Sequence, residues 1–231
     1  CGYRVITLDL LGHGESDRPT QYWRYSTTAW AEQVIALLDH LDVRTAVVGG
    51  TSLGANVGLQ VAAIAPERLH GIVAELPVLD NTAIAGAIAF TPLLLAARFT
   101  PWLVDATAWV ANRVPRGSHW IDMLTETLRQ RPRAMTATML GVLFGPVAPP
   151  KSVRRRITLP ALVLGRRHDP VHPFGDAGTL AVELPNAQFV EAGNPFELRV
   201  RPERLTEVII EFLGRTFAAG ANRSPVDRGN P

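Results

Sequence analysis

With 231 residues, 47% of them hydrophobic and 19% charged, the chain is long enough for one sizeable core with an inserted lid, and it is neither a disordered polymer nor an acidic or basic tail. Its formal charge of +2 arises from 22 Arg and one Lys against 21 acidic residues, with no basic stripe interleaved with aromatics, which argues against a nucleic-acid-binding surface. Cys1 is the sole cysteine, so an internal disulfide and a Cys-rich metal site are excluded and a reducing, cytoplasmic compartment is expected.

The chain opens directly on Tyr3 to Asp9, a short β-branched run that predicts a strand running into the Gly-containing turn Leu10-Leu11-Gly12-His13-Gly14. A start without Met, on a strand, leads us to expect an absent upstream portion carrying the first strands of the sheet. From Ser26 to Leu41 the apolar residues Trp30, Val34, Leu37, Leu38 and Leu41 recur at helical spacing. Thr45 to Gly49 predicts a strand, Leu53 to Ala65 a helix that Pro66 ends, and Ile72 to Leu76 a further strand. Between residues 81 and 153 the strand signal gives way to Ala, Leu and Trp-rich helical segments punctuated by Pro92, Pro101, Pro115, Pro132 and Pro146, which predicts an inserted helical cap. Thr82 to Ala97 carries no charge, yet it is shorter than a membrane-spanning helix and is interrupted by Pro92, so a buried or site-lining cap helix is expected rather than membrane contact. Pro160 to Gly165 and Ala187 to Glu191 predict two more strands around a helix at Asp176 to Leu184. A closing helix is expected from about Pro202 to Arg215, with Leu205, Val208, Ile209 and Phe212 on one face. Strands alternating with helices imply an α/β fold: a mostly parallel sheet covered on both faces. The expected organisation is a core of residues 1–80 and 154–217, a cap of residues 81–153 and a disordered tail at 218–231.

The chemistry concentrates at Gly50-Thr51-Ser52-Leu53-Gly54, a G-x-S-x-G placed between a strand and a helix. In a nucleophile elbow small flanking residues let a sharp turn close, so that the serine hydroxyl projects at the carboxyl end of the sheet above a helix N-terminus. Ser52 is the expected nucleophile, and the Leu53 backbone N–H is an oxyanion donor. With Asp9-Leu10-Leu11-Gly12-His13-Gly14-Glu15-Ser16, which matches D-x-x-G-x-G-x-S, and Ala65-Pro66-Glu67-Arg68-Leu69 after the elbow helix, the chain from Gly2 to Leu213 resembles the α/β-hydrolase superfamily of esterase-like and C–C-bond hydrolases. The resemblance implies that His13 is structural and that Asp169, in His168-Asp169-Pro170-Val171-His172-Pro173, is the triad acid, with Asp80 in reserve.

One departure stands out. Where the family carries Gly-His after the last strand, this chain has Gly193-Asn194-Pro195-Phe196, so Asn194 occupies the position of the base. An amide cannot take the serine proton at neutral pH. His172 is the substitute that lies nearest in sequence to the acid; His119 in the cap is a more remote candidate, and His40 and His70 are expected at the surface. The family's second oxyanion N–H comes from a loop ahead of Cys1, so half an oxyanion hole is expected, at a cost of about 3 kcal/mol of transition-state stabilisation. The leading expectation is a serine hydrolase of a small apolar ester, thioester or related carbonyl compound, without cofactor or metal. Its rival is a ligand-binding protein that keeps the fold after losing its triad, and acyl transfer at the same serine is a third reading. Dehalogenase chemistry is disfavoured because its nucleophile would be Asp at position 52.

Overall fold

The computed structural model describes residues 2–79, 91–92, 94–96, 98–115, 132–166, 175–194 and 196–221. Among these, the elements are α1 (Thr27–His40), β1 (Ala46–Thr51), α2 (Leu53–Ile64), β2 (Leu69–Glu75), α3 (Pro101–Ala111), α4 (Pro132–Phe144), α5 (Lys151–Arg154), β3 (Ala161–Gly165), α6 (Asp176–Glu183), β4 (Ala187–Glu191), α7 (Glu197–Val200) and α8 (Glu203–Ala221). The strands form one parallel sheet in the order β1-β2-β3-β4. Every residue of β3 is buried, as a central strand must be when both sheet faces are covered.

The chain divides into two compact units, one of residues 1–4, 34–82 and 148–231, the other of residues 5–33 and 83–147. In the first, α2 packs on β1 and β2, α6 on β3 and β4, and α8 on β2. Leu162 and Leu164 of β3 join Ala192, Leu205 and Phe212 in a buried cluster that Val208 and Ile209 extend, so the apolar face read from the α8 sequence is the face the core receives. In the second, Val104 of α3 and Met135 of α4 are buried together. Pro101 and Pro132, which break the sequence pattern, stand at the first positions of α3 and α4, where a missing N–H costs no helical hydrogen bond.

Two expectations are corrected. Tyr3 to Asp9 is not a strand: no described strand pairs with it, and Val5 is 82% exposed. β-branched composition supplies the propensity for a strand, but the ladder requires a neighbour that composition does not provide. The closing helix also continues past Arg215, through the expected start of the tail at residue 218, to Ala221. Ala218, Ala219 and Ala221 are strong helix formers, and they extend a helix already anchored by Phe212.

The turn after Leu10 is held by Asp9. Its carboxylate accepts the Glu15 N–H at 2.9 Å and its carbonyl accepts the Ser16 hydroxyl at 2.6 Å. His13 contacts the Leu11 carbonyl through Nδ1 at 3.2 Å and sits edge-on to Trp30, a structural role that agrees with the one the resemblance implied. His70 is half-buried rather than solvated: its Nε2 lies 2.8 Å from Thr45 Oγ1 and its ring meets Phe217 edge-on.

The Arg154–Glu183 pair fastens α5 to α6, and both side chains are almost fully buried, at 2% and 4% exposure. Arg154 Nε donates to Glu183 Oε2 at 2.6 Å and Nη1 donates to the Pro149 carbonyl at 2.6 Å. Without Arg154 the buried Glu183 carboxylate keeps Lys151 Nζ at 3.8 Å from Oε1 but loses its close, buried partner. Arg154→Ala is expected to lower the unfolding free energy by about 3 kcal/mol or more, and adding Glu183→Ala should cost much less than its single effect. Urea unfolding of the two single variants and the double variant checks both parts.

Candidate active site

Ser52 lies between the end of β1 and the first residue of α2, with φ +51° and ψ −110°. A non-glycine residue at positive φ is strained by about 1–3 kcal/mol, so its surroundings must hold it there. Two backbone hydrogen bonds do so. The Ser52 N–H donates to the Glu75 carbonyl at 2.8 Å, continuing the β1–β2 ladder past Thr51, and the Ser52 carbonyl accepts the Asn56 N–H at 3.1 Å, opening α2.

The flanking glycines do different things. A methyl group on Gly50 would come within 2.4 Å of the Gly54 carbonyl carbon, so only glycine lets the strand end and the helix start approach. A methyl group on Gly54 would meet nothing within 4 Å among the described residues. The expectation that small residues are needed on both sides therefore holds at Gly50, while among the described residues nothing crowds Gly54.

A serine at a helix N-cap ordinarily spends its hydroxyl on an N–H of the first turn. Ser52 makes no such bond, and among the described residues no side chain is hydrogen-bonded to its Oγ. Ser52 is half-buried at the carboxyl end of the sheet. Leu53 is the first residue of α2, whose backbone N–H has no partner within the helix, the position of an oxyanion donor.

Around this turn the polar contacts are dense. Asn56 is fully buried, donating through Nδ2 to the Val78 carbonyl at 2.7 Å and accepting the Val78 N–H at 3.1 Å. The buried Asp176 accepts the Leu79 N–H at 2.7 Å, so the segment leaving β2 is pinned by both α2 and α6. Arg199 of α7 grips Glu75 with Nη1 to Oε1 at 2.8 Å and Nη2 to Oε2 at 2.9 Å. The same Nη2 lies 2.9 Å from Thr51 Oγ1, and the Thr51 hydroxyl donates in turn to Glu75 Oε2. The hydrogen bonds to Glu75 hold the Arg199 guanidinium above its usual pKa.

Asn194 is exposed, and its Oδ1 accepts the Phe196 N–H at 2.9 Å, so the amide is engaged in the turn entering α7. The loop beneath it is fixed by Glu197, which accepts the Gly193 N–H and both Nε and Nη2 of Arg204, at 2.7 and 2.8 Å. The Arg204 guanidinium holds the Glu197 carboxyl below the usual carboxylate range. Asn194 and Gly193 line an open cavity of about 560 Å³ that Arg166, Glu191 and Arg201 also border. Asp169 and His172 lie outside the described residues, as do His168, His119 and Asp80. Of the candidate site residues read from the sequence, the structure thus describes Ser52, Leu53 and Asn194.

Sequence reasoning missed Glu75 and Arg199. The available signal was a carboxylate at the end of the apolar run Gly71-Ile72-Val73-Ala74, because a charge in a buried strand demands a partner.

A family model described as the alpha/beta hydrolase fold matches residues 1–138, more than half of the chain. The 2-hydroxymuconate semialdehyde hydrolase of Pseudomonas putida is 25% identical across 93% of this chain and 78% of its own length. The dihydrolipoyllysine-residue acetyltransferase component of the acetoin cleaving system of the same organism is 45% identical, over 37% of this chain and only 21% of that protein. Among solved structures, the enol-lactonase from Burkholderia xenovorans superposes with a TM-score of 0.68 at 21% identity, covering 89% of this chain and 77% of that one.

The two glycines of the elbow give a paired test. Gly50→Ala is expected to destabilise the protein strongly, because the clash is with backbone that cannot swing aside. Gly54→Ala should leave stability unchanged or raise it by up to about 1 kcal/mol, the helix-propensity difference. Thermal melts of the two variants read the contrast directly.

Proposed function

The chain belongs to the alpha/beta hydrolase fold family, and from that premise we propose that it is a serine hydrolase of a small ester, thioester or related carbonyl compound with an apolar portion. The observation that carries the reading is Ser52 itself, a non-glycine residue held at φ +51° whose hydroxyl does not cap the helix it precedes. A strained residue whose side chain spends nothing on capping the adjoining helix supports a functional role for that side chain. That a relative aligned over most of both chains is a hydrolase adds support.

In the proposed reaction Ser52 Oγ attacks the carbonyl carbon as a base removes its proton. The tetrahedral oxyanion is met by the Leu53 N–H at the start of α2, where the helix dipole also favours negative charge. The leaving alcohol or thiol departs with the proton from the base, and water then cleaves the acyl-serine by the same steps. Asp169 is assigned as the acid that orients the base and His172 as the base. The uncharged stretch Thr82 to Ala97 supports the apolar ligand class, since it offers no charge for an ionic substrate.

A second reading is favoured by one observation. Asn194, at the family's base position, has its Oδ1 occupied by the Phe196 N–H, which suits a ligand-binding protein with a silent triad. The two readings part on simple measurements. A fluorophosphonate probe should label the wild type at Ser52 and fail on Ser52→Ala; undiminished labelling of that variant removes Ser52 from the mechanism.

The base is decided by two further variants followed by ester hydrolysis. If His172 acts, His172→Ala should abolish turnover while Asn194→His changes little. If the triad is silent for want of an imidazole at position 194, Asn194→His should raise hydrolysis toward the roughly 10² to 10⁴-fold that a positioned base contributes. Activity that survives His172→Ala and gains nothing from Asn194→His refutes both assignments.

A further inference from the structure

Thr51 immediately precedes the nucleophile, Glu75 ends the neighbouring strand, and Arg199 comes from α7, the helix whose entry turn Asn194 caps. They are far apart in sequence, yet three side chains share four polar contacts: two from Arg199 to Glu75, one from Arg199 to Thr51 Oγ1, and one from Thr51 to Glu75 Oε2. Glu75 is nearly buried, with its side chain 9% exposed against 23% for Arg199. Burying a carboxylate is costly unless it is fully paired, and the arrangement satisfies both carboxylate oxygens while consuming the Thr51 hydroxyl.

A purely structural ion pair between strand and helix would need only Glu75 and Arg199. The third member places the contact on the elbow. The Glu75 backbone carbonyl also accepts the Ser52 N–H, so the same residue holds the nucleophile through its main chain and its predecessor through its side chain. Arg199 then ties that assembly to the helix following the loop of position 194, in a bidentate geometry that resists rotation.

We propose that Arg199 and Glu75 are positioning residues for Ser52, which act through the Thr51 hydroxyl to lock the nucleophile elbow to the α7 segment that follows position 194. This inference rests on the reading of Ser52 as nucleophile. Neither residue touches substrate; each sets where the serine hydroxyl and the facing loop sit relative to one another. Displacement of a reacting group by about 1 Å can cost on the order of 10²-fold in rate, so loss of the clamp acts on the chemical step and leaves ligand affinity alone.

The test follows fluorophosphonate labelling of Ser52 in time courses at several probe concentrations, which separates the maximal rate constant from the apparent binding constant. Arg199→Ala should lower the maximal rate constant about tenfold or more, with binding unchanged. Thr51→Val keeps the Glu75–Arg199 pair and the side-chain size, so it tests the link to the elbow without stranding a buried charge, and it should show a smaller loss of the same kind. Arg215→Ala, which breaks the exposed ion pair with Glu211, is the control and should do neither.

A merely structural role predicts a different pattern: a reduced fraction of labelled protein and a lower melting temperature, with the rate constant of the folded fraction unaltered. That pattern, or Thr51→Val at the wild-type rate, overturns the proposal. Should the wild type not label at Ser52, the proposed hydrolase reading fails on its own. The clamp is then decided by hydrogen exchange: Arg199→Ala must accelerate exchange in peptides covering both residues 49–56 and residues 196–201, and acceleration confined to the second overturns it.

Discussion

The approach of Gly50 to Gly54 is the constraint on which the rest of this site depends. Where strand β1 ends and helix α2 begins, the chain reverses so tightly that a single methyl group on Gly50 would stand inside the van der Waals radius of the following backbone. That reversal forces Ser52 to positive φ and lifts its hydroxyl off the helix cap. The strain of about 1–3 kcal/mol is small beside the packing of α2 on two strands, and it persists because hydrogen bonds on either side of Ser52 over-determine the backbone. This backbone geometry follows from how a parallel strand hands the chain to a helix.

Three buried polar groups gather at the carboxyl ends of the strands. Asn56, Glu75 and Asp176 are each less than a tenth exposed, and each engages backbone or a charged partner at that end of the sheet. An apolar core of equal volume would be cheaper, since burying amides and carboxylates returns little net stability even when every bond is made. Their directional bonds supply what an apolar core does not: a fixed path for the segment leaving β2 and a fixed seat for α7.

Much of this was legible in the sequence, and what was not has a common cause. Local signals gave the four paired strands and the helices between them: alternation of apolar runs with 3.6-residue periods, Pro66 closing α2, and small residues around Ser52. The elbow was readable because its meaning is local, a glycine, a serine and a glycine within five residues. Tyr3 to Asp9 misled because a strand is a pairing, and propensity says nothing about a partner. The contacts of Glu75 were hidden for the same reason. Its partner Arg199 lies 124 positions away, and one arginine among 22 carries no mark that singles it out. Asn194 was legible as a departure, but the engagement of its amide by the turn into α7 was not.

The loop around Asn194 is fixed from both sides. Gly193 is held by Glu197, Glu197 is gripped in two places by Arg204, and Arg204 also reaches the Glu191 carbonyl at the end of β4. From the other side Arg199 fastens α7 to the elbow. Position 194 therefore stands on a fixed platform whose rigidity does not depend on the ring that the family places there. Asparagine serves that platform well, because its short amide closes the turn onto the Phe196 N–H. The described contacts of this loop are thus made by Glu197, Arg204 and Arg199, and none of them calls for a ring at position 194.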